Sequence, residues 1–110
     1  MELNINDPYY AEKNRAITAL YRVMDPELFV NIMDLGLVYD LDFSKDNKII
    51  VIMTLSTPHC PLEEAITSGV RNSMDIDFPG IEVEVKIVWE PAWNYTMMSA
   101  AAREELGFDE

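Results

Sequence analysis

The chain has 110 residues, 49% hydrophobic and 25% charged, with 20 acidic against 8 basic side chains and a formal charge of −12. That balance is globular rather than disordered, and the length suits one domain and excludes two. A strongly acidic surface whose few basic residues never cluster repels phosphate backbones and anionic lipids, so nucleic acid and membranes are poor partners, whereas a basic protein or a metal ion is an easier one.

Residues 1–6 read as a flexible lead, and 7–107 as a single domain. Asp7-Pro8 predicts a helix start, an acidic N-cap with proline at the first helical position. Ala16, Ile17, Leu20, Val23 and Met24 then recur at helical spacing, and Asp25-Pro26 ends the helix because the residue before a proline avoids the α region. From Leu37 the period becomes two. Leu37, Tyr39, Leu41 and Phe43 alternate with Val38, Asp40 and Asp42, a strand with one wet face, followed by a hairpin loop at Ser44–Lys48. Ile49–Met53 is apolar throughout, which predicts a central strand covered on both faces.

Leu62, Ala65, Ile66, Val70 and Met74 mark a second amphipathic helix, and Phe78-Pro79-Gly80 a turn. Ile81, Val83, Val85, Ile87 and Trp89 alternate with Glu82, Glu84 and Lys86, the clearest strand in the chain, broken by Pro91. A last helix is expected over Met97 to Leu106, with Gly107 as its left-handed cap. The order α-β-β-α-β-α gives an α/β (α+β) fold: a hairpin, a crossover helix and a third strand parallel to the second, forming a mixed three-stranded sheet packed by helices.

Chemistry concentrates in Thr54-Leu55-Ser56-Thr57-Pro58-His59-Cys60-Pro61-Leu62-Glu63, which joins the central strand to the second helix and holds the one cysteine and one histidine. With Pro61 as the first helical residue, Cys60 is the N-cap; if the helix begins at Pro58, Cys60 lies in its first turn. Either placement sets the sulfur near unpaired N–H groups and the positive end of the helix dipole, which favour thiolate. The alternative is a small buried hydrophobe. Adjacency alone does not make His59 a catalytic partner. A lone cysteine forms no internal disulfide and suits a reducing compartment. No apolar run reaches bilayer length, and the first residues lack a signal-peptide pattern, so the expected location is cytoplasmic.

Two further groups carry alternatives. Asp25 and Glu27 leave a helix end together, either to converge on a metal or to cap and solvate, while Gly36 reads as a turn or bulge residue. Trp89 and Trp93 flank a proline-broken strand end, either as a partner-binding platform or as a plug for the end of the core.

Asp25-Pro26-Glu27-Leu28, Ile32–Val38, Met53–Leu62, Trp89–Trp93, Met98-Ser99, Ala102-Arg103 and Leu106-Gly107 stand in one order and spacing. Together they resemble the small iron–sulfur cluster maturation factors of the SUF-accessory type, long catalogued as domain of unknown function fifty-nine. Phenylacetate-oxygenase assembly proteins and the eukaryotic cytosolic iron–sulfur targeting subunit belong to the same family. The resemblance implies the iron–sulfur cluster assembly domain fold. It implies Cys60 as the functional cysteine, with Asp25, Glu27, Thr54, Thr57 and Asp34 lining its pocket. It also implies an accessory role in place of catalysis, with cluster carriers or scaffolds and apo-clients as partners. Ser56 stands where many relatives have threonine, and the minimal prokaryotic form, without the cysteine-rich C-terminal extension or long N-terminal arm of other branches, is expected. A [2Fe–2S] cluster wants four ligands, and this chain offers one thiolate. No tightly bound cofactor is therefore expected. Iron or a cluster is held transiently at Cys60, either between the two subunits of a homodimer or with ligands from a donor or client. A protein–protein adaptor without cluster chemistry and a cysteine-dependent enzyme are the competing classes.

Overall fold

The computed structural model describes residues 4–26, 28–56 and 60–107, with the backbone alone at 60–62. The elements are α1 (Tyr10–Leu20), β1 (Val38–Lys45), β2 (Lys48–Met53), α2 (Cys60–Asp77), β3 (Glu82–Ile87), a 3-10 turn at Tyr95–Met97 and α3 (Ala100–Leu106). The sheet runs β1-β2-β3, with β1 antiparallel and β3 parallel to β2. That is the expected mixed sheet and element order.

Several boundaries move, each for a local reason. Asp7 does not cap α1 directly. Its carboxylate accepts from Tyr9 N at 2.8 Å and its carbonyl from Tyr10 N at 3.0 Å, so it closes the turn that leads into the helix. α1 also stops at Leu20, before Asp25-Pro26, because the chain turns at Tyr21 and Arg22 and then runs extended: Met24 bridges Asn31, and Ile32 N donates to Val23 O at 2.9 Å. Met24, expected on the apolar stripe, is 52% exposed. α2 begins at Cys60, which makes that residue the first of the helix and not its cap. α3 starts at Ala100 instead of Met97, since Ser99 Oγ accepts from Ala102 N at 3.1 Å and fixes the N-cap there. Gly107 is the left-handed cap, at φ 83°.

The strands depart from simple alternation in two places. In β1, Val38 pairs with Met53 and Asp40 with Ile52, so Tyr39 is an extra residue that shifts the phase. Val38 and Leu41 are both buried as a result, while Tyr39 and Phe43 are only half-buried. In β2, Ile49, Val51 and Met53 are buried but Ile50 and Ile52 only partly so. The central strand is covered on one face, because both long helices pack on the same side. Its outer face is shielded by charge instead, with Lys48 bonded to Glu84 at 2.7 Å.

α1 and α2 lie antiparallel in a regular register. Arg15 reaches the Asp77 carbonyl at 2.5 Å, Ser73 Oγ donates to the Ala19 carbonyl at 2.6 Å, and a Cβ on Gly69 would sit 3.2 Å from Val23 Cγ1. Each step of four along α1 thus matches a step of four back along α2. The chain leaving α1 is carried toward the first turns of α2.

Candidate functional site

Three segments meet at the end of the sheet where β2 gives way to α2. Thr54 N donates to Leu37 O at 2.8 Å, Leu37 N to Ile32 O at 3.1 Å, and Ile32 N to Val23 O at 2.9 Å. This ladder of three backbone links ties the base of the Asp25 loop to the tip of β2. The α1–α2 register independently directs the same loop toward the N-terminal half of α2, whose first residue is Cys60. Asp25, Thr54 and the helix start therefore share one end of the molecule.

Burial singles out two of these residues. Among the described residues only Asp25, Thr54 and Ser73 are buried and polar. Ser73 is accounted for by helix packing, since its hydroxyl donates to Ala19 O and accepts from Arg22 Nε at 3.2 Å. Asp25, fully buried, shapes its own loop: Oδ1 accepts from Leu28 N at 3.0 Å and its carbonyl from Phe29 N at 2.8 Å. Thr54 is 1% exposed, and its hydroxyl has no hydrogen-bond partner among the described residues. A buried unpaired hydroxyl costs about 1–3 kcal/mol and calls for a reason beyond folding.

The other expected residues separate. Asp34 braces a neighbouring loop: its Oδ2 accepts from Asn31 Nδ2 at 2.7 Å, its N–H donates to Asn31 Oδ1 at 2.8 Å, and its carbonyl accepts from Ser99 N at 2.7 Å. Trp93 packs against the core and donates its indole N–H to Leu35 O at 2.7 Å, so it plugs the core end. Trp89 stays 47% exposed. Glu27, Thr57 and His59, and the side chain of Cys60, lie outside the described residues. Among the described residues no group of three His, Cys, Asp or Glu is placed to hold a metal ion, and no helix is long and apolar enough to cross a membrane.

One feature of the site escaped sequence reasoning. Phe29 adopts φ 59° and is 74% exposed, in the same loop that leaves Met24 exposed. A bulky residue in the left-handed region is a genuine outlier, held here by the turn that Asp25 O closes. The signal was present in Leu28-Phe29, two apolar residues that follow Asp25-Pro26 and fit no helical stripe.

The family model for iron–sulfur cluster assembly proteins matches residues 13–87, which contain all three segments of the site. The chain belongs to that family. It is 37% identical over 105 residues to an Fe-S protein maturation auxiliary factor of Porphyromonas gingivalis, covering 94% of this chain and 99% of that one. It is 42% identical over 98 residues to another protein of that description from Bacillus subtilis, covering 88% and 95%. Its fold is that of a domain of unknown function DUF59 from Bacillus anthracis, at TM-score 0.81, 37% identity and coverage of 90% and 94%. The resemblance read from the motifs, and the α/β architecture it implied, both hold.

Proposed function

We propose that the protein is an accessory factor in iron–sulfur protein maturation, in which Cys60 takes up iron or a cluster briefly and passes it to an apo-protein. The observation that carries this is the orphaned, buried hydroxyl of Thr54 at the strand tip between the Asp25 loop and the start of α2. A protein that must only fold gains nothing from that arrangement. A cysteine opening an 18-residue helix is also disposed to ionise, because the helix dipole and the unpaired amides of the first turn stabilise a thiolate.

One thiolate per chain leaves a [2Fe–2S] cargo short of its four ligands. The missing ligands come from the carrier that delivers the cargo or the client that receives it, so Cys60 holds it only in passing. The net charge of −12 favours partners with basic docking surfaces.

Two measurements test this. In a host that depends on the factor, Cys60→Ser should lower the activity of iron–sulfur enzymes to the level of the deletion; unchanged activity refutes the reading. Anaerobic incubation with iron and sulfide, followed by visible absorbance and native mass, should show a labile chromophore in the wild type that Cys60→Ser lacks.

A further inference from the structure

The two edges of the sheet are treated differently. β1 carries the extra residue Tyr39 and a second register shift between Asp42 and Lys45. The segment after β3 also returns to the β1 side: Tyr39 Oη donates to Pro91 O at 2.7 Å, Trp93 to Leu35 O, and Ser99 N to Asp34 O. Bulges and a covering segment are the usual devices that keep an edge from pairing. β3 has neither. Glu82–Ile87 pairs with β2 without a register shift, contains no proline, and has no element beyond it in the sheet among the described residues.

The hydrogen-bond phase of that edge is fixed by its ends. Glu82 N donates to Asn47 O at 3.0 Å and Val88 N to Met53 O at 2.8 Å, so the even-numbered residues face β2. The N–H and C=O groups of Val83, Val85 and Ile87 therefore point outward, unpaired within the sheet. Their half-buried side chains pack on the core, while Glu82, Glu84 and Lys86 stand on the open face. An open hollow of about 260 Å³, lined by Arg71, Asn72 and Asp75 of α2 and by Ile81 and Val83, lies between α2 and the start of this strand.

We propose that this edge pairs with the same edge of a second copy, antiparallel, with Val85 opposite Val85 of the partner subunit. The register follows from charge. Centred on Val85, Glu84 faces Lys86 of the partner subunit twice, while Val83 faces Ile87 of the partner subunit on the apolar side. Centring on Glu84 or Lys86 sets a charge against itself, and centring on Val83 sets Glu82 against Glu84 of the partner subunit. Opposite charges directly across a strand pair stabilise and like charges destabilise, so one register is favoured. It also makes the hydrogen-bonded pairs out of the three residues whose amides face outward, and it extends the sheet to six strands.

This dimer bears on cargo handling. A two-fold axis through Val85 puts both helical layers on one side of the joined sheet and runs the two β3 strands in opposite directions. α2 begins at the end of the sheet where β2 and β3 finish, so the two Cys60 residues fall at opposite ends. A cluster shared between them is excluded in this assembly, and each subunit presents its own site. The dimer itself does not rest on the proposed function; only this consequence does.

The test is sedimentation velocity from micromolar to near-millimolar concentration, with circular dichroism to verify folding. The wild type should show a concentration-dependent dimer. Val85→Pro removes an outward N–H that the sheet does not use, as edge positions tolerate, and should leave a monomer. Lys86→Glu turns two attractions into two repulsions and should weaken the dimer by about tenfold or more. The double change Glu84→Lys with Lys86→Glu restores the pairing and should restore the dimer. A wild type that stays monomeric throughout, a dimer indifferent to both single changes, or no recovery in the charge-swapped variant overturns the proposal.

Discussion

Gly36 lies against the backbone of Met97: a Cβ at position 36 would clash with the Met97 carbonyl oxygen, well inside van der Waals contact distance. The same glycine has φ 75°, a region that costs a side-chain-bearing residue about 1–2 kcal/mol by itself. It is the point at which the loop before β1 and the segment after β3 close on one another. Gly80, at φ 81°, has nothing within 4 Å of its would-be Cβ and isolates the conformational cost alone.

Gly36→Ala should therefore lower stability by more than Gly80→Ala. Gly80→Ala should cost about 1–2 kcal/mol, and Gly36→Ala about 1–3 kcal/mol more as the Met97 segment is pushed off. Chemical denaturation of both variants checks this; equal losses would mean that the contact with Met97 yields freely.

The two tryptophans should part company. Trp93→Phe removes the indole donor to Leu35 O and should cost about 1 kcal/mol. Trp89→Ala, at an exposed ring, should leave the thermal midpoint within error. If Trp89 meets a partner, pull-down of carrier or client by Trp89→Ala falls while its midpoint holds. Loss of stability in Trp89→Ala would place that ring in the core instead.

The sequence conveyed the element order and strand polarity because these rest on period and connection length. The hairpin, the crossover and the alternation of Ile81–Ile87 leave little freedom. What it hid were effects of tertiary geometry. Nothing local marks Tyr39 as the extra residue in β1, since its neighbours alternate without a break. Nor does composition show that Ile50 and Ile52 lie on a face that is only partly covered, because an apolar run reads the same whether one face or both are covered. At the site, the expectation that Asp25 and Thr54 line one pocket came from motif resemblance, and spacing alone left both residues ordinary. The ladder through Leu37 and Ile32 supplies the physical link.

Acid should expose one local contribution. The side-chain hydrogen bond from Lys13 to Asp7, 2.7 Å long, and the backbone bond from Tyr9 hold the Asp7 carboxyl below its usual 3.8. A depressed carboxylate stabilises the fold above its unfolded pKa, and the effect is lost as pH falls through the folded value. Asp7→Asn should therefore narrow the gap to wild type in thermal midpoint as pH drops from 5 toward about 3. A gap that stays constant with pH would deny the pair any folded-state role. The pair is half-buried at the surface and screened by solvent, so the effect is small.

Thr54 offers the sharpest separation of folding from function. Its hydroxyl is buried without a partner among the described residues, so folding already carries the desolvation cost. Thr54→Val keeps the shape, removes the hydroxyl and should raise stability by about 1 kcal/mol. Thr54→Ser retains the hydroxyl but loses a buried methyl, and should lower stability by about 1 kcal/mol. If the hydroxyl serves cargo or the Cys60 sulfur, maturation of client enzymes follows the opposite order: impaired in the more stable Thr54→Val and preserved in the less stable Thr54→Ser. Unfolding curves and client-enzyme activity from the same strains decide it. A Thr54→Val protein that is both more stable and fully active would reduce the hydroxyl to an accident of packing and remove the main structural support for a cargo site at this end of the sheet.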